Sequence, residues 1–163
     1  MSHMVMSAEA EPERPPRPKA PGLAAGIDEA MIRRLVHGFY AKVRRDGVLG
    51  PVFDRAVADW DEHLAKLCDF WSSVTLMTGR YKGQPMPVHA GIPEIGPELF
   101  ARWLALFGET ARELCPPEAA ALFADRAARI AESLKLGIAV LRGQSTIGVP
   151  LRAGPTPRRA PEP

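Results

Sequence analysis

Apolar residues recur every three or four positions in four separate stretches of this chain, the spacing that gathers them on one face of a helix. The first stretch runs from about Asp28 to Arg45, with Met31, Ile32, Leu35, Val36, Phe39, Tyr40 and Val43 on one side and Asp28 as N-cap. The second runs from about Trp60 to Thr78. Asp59 caps it, Glu62 follows three residues later as in a capping box, and Gly79 stops it. Its inner face reads Trp60, His63, Leu64, Leu67, Phe70, Trp71, Val74 and Met77. The third starts at Pro97, a favourable first helical position, and ends at Cys115-Pro116-Pro117. The fourth spans about Glu118 to Val140. Asp46-Gly47 and Gly50-Pro51 read as breaks after the first helix. The pattern predicts an all-α fold.

One gap stands out. Residues 80–96 hold Pro85, Pro87 and Pro93, show no strong periodicity, and carry His89 near their middle. A gap of this length inside a compact domain marks either a functional segment or an element that the pattern hides.

The ends differ from the middle. Ten of the 17 prolines lie in 1–26 and 141–163, among Ala, Arg, Glu and Gly. Such segments bury too little apolar surface to offset the entropy of ordering, so both are expected to be disordered tails flanking one domain at 27–140. That domain holds 14 basic and 15 acidic residues, and the pI near 8.7 owes much to four arginines in the C-terminal tail. A near-neutral core lacks the basic stripe that nucleic-acid binding requires. The N-terminus has no secretory h-region, and no apolar run reaches the roughly 18 residues of a membrane span. A cytoplasmic location with no membrane partner is the expectation. Cys68 and Cys115 have no metal-type spacing, and Cys68 falls in an apolar helical pattern, which suits a buried thiol.

The four histidines are not equivalent. His3 falls in a tail and His37 on the polar side of the first helix, both surface positions. His63 lies along the apolar face of the second helix, which fits a core histidine or a ligand. His89 fits a surface loop or a ligand. Aromatic residues Phe39, Tyr40, Phe53, Phe70, Trp71, Phe100, Trp103 and Phe107 are spread over separate elements. They suit either a large ordinary core or a slot for a flat apolar ligand with one polar edge.

The runs GFYAKVRRDGVLGPVF (38–53), WDEHLAKLCDFWSSVTLMTGRYKGQPMPVHAGIPEIGPELFARWLALFGET (60–110) and RAARIAESLKLGI (126–138) together resemble the group III truncated haemoglobins over roughly residues 27–140. The ordered motifs are FY, LGPVF, EHLAKL, FW, GRYKG, the loop histidine and FARWLALF. The resemblance implies a truncated globin fold, a two-over-two helical sandwich enclosing haem b (iron protoporphyrin IX), with the proximal helix reduced mostly to loop. It implies His89 as the iron ligand and His63, Tyr40 and Trp103 as polar groups on the distal side. Phe53 is implied as a wedge against the haem, and Leu67, Phe70 and Trp71 as pocket walls. Arg80 or Lys82 of GRYKG is expected to meet the haem propionates. The implied function is reversible binding of dioxygen or other diatomic ligands, for oxygen handling or nitric oxide detoxification. The alternative is a haem enzyme with peroxidase-like or nitric oxide dioxygenase activity, which would draw on an unidentified reductase. A third alternative is a helical interaction module without cofactor.

Overall fold

The computed structural model describes residues 14–83, 92 and 95–143. Every element among them is helical: α1 (Pro21–Ala24), α2 (Glu29–Arg45), α3 (Leu49–Ala56), α4 (Trp60–Leu76), α5 (Pro97–Leu114) and α6 (Pro117–Leu141). The all-α expectation holds. α5 and α6 pack on each other, and α2 lies against both α5 and α4. The main core forms where these helices meet. Ile32, Leu35, Val36, Phe39 and Val43 of α2 meet Trp71 and Leu76 of α4, Phe107 and Ala111 of α5, and Ala119, Phe123 and Ala127 of α6. The small residues Ala111, Ala119 and Ala127, each 0 % exposed, let α5 and α6 approach closely.

The four long helices follow their periodic patterns, and the caps explain their starts. Asp28 accepts a hydrogen bond from the Met31 amide at 2.8 Å, and Asp59 accepts from the Glu62 amide at 3.2 Å. The end of α4 differs from the expectation. The helix stops at Leu76, and Met77 is a left-handed residue (φ 54°) that is exposed rather than inward-facing.

α3 stands where the sequence reads as broken. Pro51 falls in its first turn, where the missing N–H would have had no intrahelical acceptor. Asp46 supports that turn by accepting from the amides of Val48 and Leu49, both at 2.9 Å.

A further difference concerns the N-terminal tail expected at 1–26. Residues 14–26 pack against the end of α4. The Arg17 amide donates to the Leu76 carbonyl at 3.0 Å, Ala20 is 4 % exposed, and Gly22 is buried. A Cβ on Gly22 would lie 2.6 Å from the Thr75 carbonyl oxygen, so only glycine permits this approach. The segment orders because α4 ends in carbonyls that need donors. Its prolines also leave it little freedom to lose. At the other end, α6 reaches Leu141, one residue past the expected boundary. Arg142 then donates to the carbonyls of Ile95 (2.7 Å) and Ile92 (2.5 Å), fastening the approach to α5 onto the end of α6. Leu134 and Ile138 of α6 pack with Ile95 beside that strap.

Candidate functional site

α2 carries Tyr40 into the space between α3, α4 and α5. Phe39 meets it edge-on at 4.8 Å, Phe53 of α3 at 5.7 Å, and His63 of α4 at 5.8 Å. The indole N–H of Trp103 of α5 is the donor that acts on the Tyr40 hydroxyl. Tyr40 is 5 % exposed, and that burial pushes its phenol well above the ordinary value of 10.0, with the hydrogen bond from Trp103 opposing the rise. The phenol therefore stays protonated and able to donate. His63 brings a second polar edge into the same space, with its Nε2 atom shielded from solvent.

Behind this cluster runs a spine of rings. Trp103 stacks on Phe107 at 5.2 Å, Phe107 stacks on Trp71 at 5.1 Å, and Trp71 meets Phe123 at 5.7 Å. Ring contacts beyond their buried area fix geometry as well as adding stability. The spine therefore sets where Trp103, and through it Tyr40, can sit.

The residues singled out from the sequence fall into three groups. Tyr40, Phe53, His63 and Trp103 converge, as described. Leu67 and Phe70 lie half-buried on one face of α4, in line with Leu64 and Val74. Trp71 is 2 % exposed and lies in the core, in edge contact with Phe70 at 5.5 Å. His89 lies outside the described residues. His37 is exposed, as expected. Cys68, expected to be buried, is half-buried; Cys115 is buried, and both thiols are free. Burial raises the pKa of each thiol.

Arg80, one of the two bases expected at the haem propionates, is engaged with the N-terminal segment and α2. It contacts Glu29 at 3.3 Å and donates through Nε (3.1 Å) and Nη2 (2.8 Å) to the Arg14 carbonyl. Glu29 also accepts from Ser72, which is hydrogen-bonded to Thr78. This knot joins the N-terminal segment, α2 and the end of α4, and it gives Arg80 a structural task. Lys82 is exposed.

Two ring residues were missed as site neighbours. Trp60 sits one helical turn before His63, their rings 5.6 Å apart and nearly perpendicular. Tyr81 meets Phe70 edge-on at 5.2 Å. The i, i+3 spacing from His63 was the available signal for Trp60.

The donor chemistry fits a flat, largely apolar cofactor. Half-buried apolar side chains remain on α4 (Leu64, Leu67, Phe70) and α5 (Leu99, Phe100, Trp103), and Tyr40 and His63 bring polar atoms together between the helices. Among the described residues, no three His, Cys, Asp or Glu side chains gather to hold a bare metal ion. No described helix is long and apolar enough to cross a membrane.

Helices that bring a buried phenol, an imidazole and an indole together in one aromatic cluster define a helical protein with the means to hold a ligand. No family model matches the chain. It is 41% identical to the group 3 truncated haemoglobin Ctb of Campylobacter jejuni over 88 residues, which cover 52% of this chain and 69% of that protein. The crystal structure of a group III truncated haemoglobin from Campylobacter jejuni superposes with a TM-score of 0.64 at 36% identity, over 67% of this chain and 89% of that one. The chain belongs to the group III truncated haemoglobins, and so to the globin-type haem proteins that bind diatomic ligands.

Proposed function

We propose that this protein holds haem b and binds dioxygen and other diatomic ligands reversibly, with His89 as the proximal iron ligand. The observation that carries this reading is the convergence of Tyr40, His63 and Trp103 between helices that keep half-buried apolar side chains. Haem ligated by a single imidazole supplies an iron centre with one open coordination position. Phe53, Leu67 and Phe70 contact the flat macrocycle and exclude water, while Trp71 supports Phe70 from the core. Tyr40 is the principal donor to a bound diatomic. With the Trp103 N–H acting on its oxygen, its own proton is available to another acceptor. Trp103 thus acts first on Tyr40 and only through it on the ligand. His63 adds a second polar contact. In this desolvated site each hydrogen bond is electrostatically stronger than in water.

Two free thiols suit a reducing, cytoplasmic setting. Oxygen handling and nitric oxide detoxification both use this pocket, and the second also requires an external reductase.

The test is the visible spectrum of the purified full-length protein, ferric and ferrous, with and without carbon monoxide. A haem b spectrum with a carbon monoxide adduct is expected. His89→Ala should lose most of its haem or hold it weakly. Wild-type haem content and spectrum in that variant would refute His89 as the ligand.

A further inference from the structure

We propose that Trp60, held closed by Arg44, is the entry gate of the pocket and selects its ligands by size. The proposal rests on the diatomic-binding reading above. Tyr40 is shielded by Phe39, Phe53, Trp60, His63 and Trp103. Phe39 is fully buried, and half-buried Trp103 is held by its stack on Phe107 in the core. Trp60 is half-buried, and of these rings it is the one that carries an exposed cation on its face. Its ring lies 6.1 Å from that of Tyr40 and 5.6 Å from that of His63, and it stacks on Phe53 at 6.5 Å. On the outside, the guanidinium carbon of exposed Arg44 stands 4.7 Å from the Trp60 ring centroid, within cation–π range. From solvent inward the order is Arg44, Trp60, then His63 and Tyr40.

Position makes Trp60 the movable member. It is the first residue of α4, in the turn whose amides have no intrahelical acceptors. Its neighbours on the chain, Val57 to Asp59, form a short link rather than a helix. The ring is therefore kept in place mainly by the stack on Phe53 and the cation above it. A swing of the indole uncovers Tyr40 and His63 without disturbing the spine behind them. A small diatomic needs only a brief, partial opening, whereas a bulky ligand needs the ring fully displaced. That difference makes the gate selective for size.

The experiment measures association of carbon monoxide and of n-butyl isocyanide with the full-length haem-loaded protein, for wild type, Arg44→Gln, Trp60→Ala and Tyr40→Phe. The carbon monoxide stretching frequency is recorded for each. Losing the cation should raise carbon monoxide association about two- to five-fold, the factor that an exposed cation–π contact sets. Trp60→Ala should raise both rates further, and the isocyanide rate more than the carbon monoxide rate. Neither variant should shift the stretching frequency, because Tyr40 and Trp103 remain. Tyr40→Phe should shift it. If Trp60→Ala does not fold, Arg44→Gln, on an exposed helix position, decides alone. Wild-type association rates in Arg44→Gln and Trp60→Ala, with a shifted frequency in Tyr40→Phe, overturn the gate and leave the pocket standing. An unshifted frequency in Tyr40→Phe overturns the pocket reading and the gate with it.

Discussion

Tyr40 concentrates the physics of the site in one side chain. Its hydroxyl is buried, is supplied with a donor by Trp103, and keeps its proton because burial disfavours the phenolate. Tyr40→Phe removes the donor while keeping the ring that Phe39, Phe53 and His63 pack against. A neutral hydrogen bond contributes about 0.5–1.5 kcal/mol, and a partly anionic acceptor such as bound oxygen favours the upper end. Dissociation of oxygen should then speed up by roughly ten-fold in stopped flow, since about 1.4 kcal/mol is a factor of ten. Trp103→Phe should give a smaller increase, and the double variant should add little to Tyr40→Phe alone. That non-additivity follows from Trp103 acting through Tyr40. Equal and independent effects would show that Trp103 contacts the ligand by itself. A wild-type rate in all three variants would make these residues ordinary core aromatics.

At the scale of elements, the corner between α2 and α3 shows how one carboxylate holds three helices together. Asp46 ends α2, supports the first turn of α3, and takes a two-pronged contact from Arg102 of α5 at 2.8 and 2.9 Å. The Arg102 guanidinium, then the Leu49 amide, hold its carboxyl down to about 2, against an ordinary 3.8. A depressed carboxylate pKa stabilises the fold at pH values above the ordinary value. That stabilisation is lost as pH falls through the native one. The urea midpoint of wild type should therefore fall between about pH 4 and pH 2 more steeply than that of Asp46→Asn, which cannot titrate there. Parallel curves over that window would remove the corner from the account of acid stability.

The same scale shows why some elements were legible and others were not. α2, α4, α5 and α6 each carry their own apolar period and their own start signal, so local spacing sufficed. α3 hides its helix behind Gly50 and Pro51, because a first-turn proline looks like a break in text. At the site, the convergence of Tyr40, His63 and Trp103 has no signature in spacing, since each comes from a different helix. Family resemblance brought them together. The hydrogen bond from Trp103 to Tyr40, rather than to a ligand, depends on how α5 packs on α2, which no local pattern encodes. The contacts of Arg80 have the same origin: its acceptors, Glu29 and the Arg14 carbonyl, are distant in sequence.

At the scale of the whole molecule, the N-terminal segment changes what counts as the domain. Composition marks 1–26 as a disordered tail, yet residues 14–26 satisfy the carbonyl of Leu76 and feed the Glu29–Arg80 knot. They brace the end of α4, the helix that carries His63, Leu67 and Phe70. Gly22→Ala tests this brace with one methyl group. Within α1 the substitution should help, by about 0.5–1 kcal/mol of helix preference. The new Cβ, however, would lie 2.6 Å from the Thr75 oxygen and 3.1 Å from Leu76 Cδ2. The first of these is backbone inside a helix and cannot rotate away, so α1 must lift from α4. Such overpacking typically costs about 1–3 kcal/mol, which outweighs the propensity gain. The melting temperature should drop by roughly 2–4 °C for each kcal/mol of net loss. Gly26→Ala is an unsuitable control because Gly26 sits at φ 76°, whereas an added Cβ at Gly47 meets nothing within 4 Å. Gly47→Ala should therefore leave the melting temperature near that of wild type. A Gly22→Ala protein that melts with Gly47→Ala, or above it, would mean that the segment rests on α4 without bracing it.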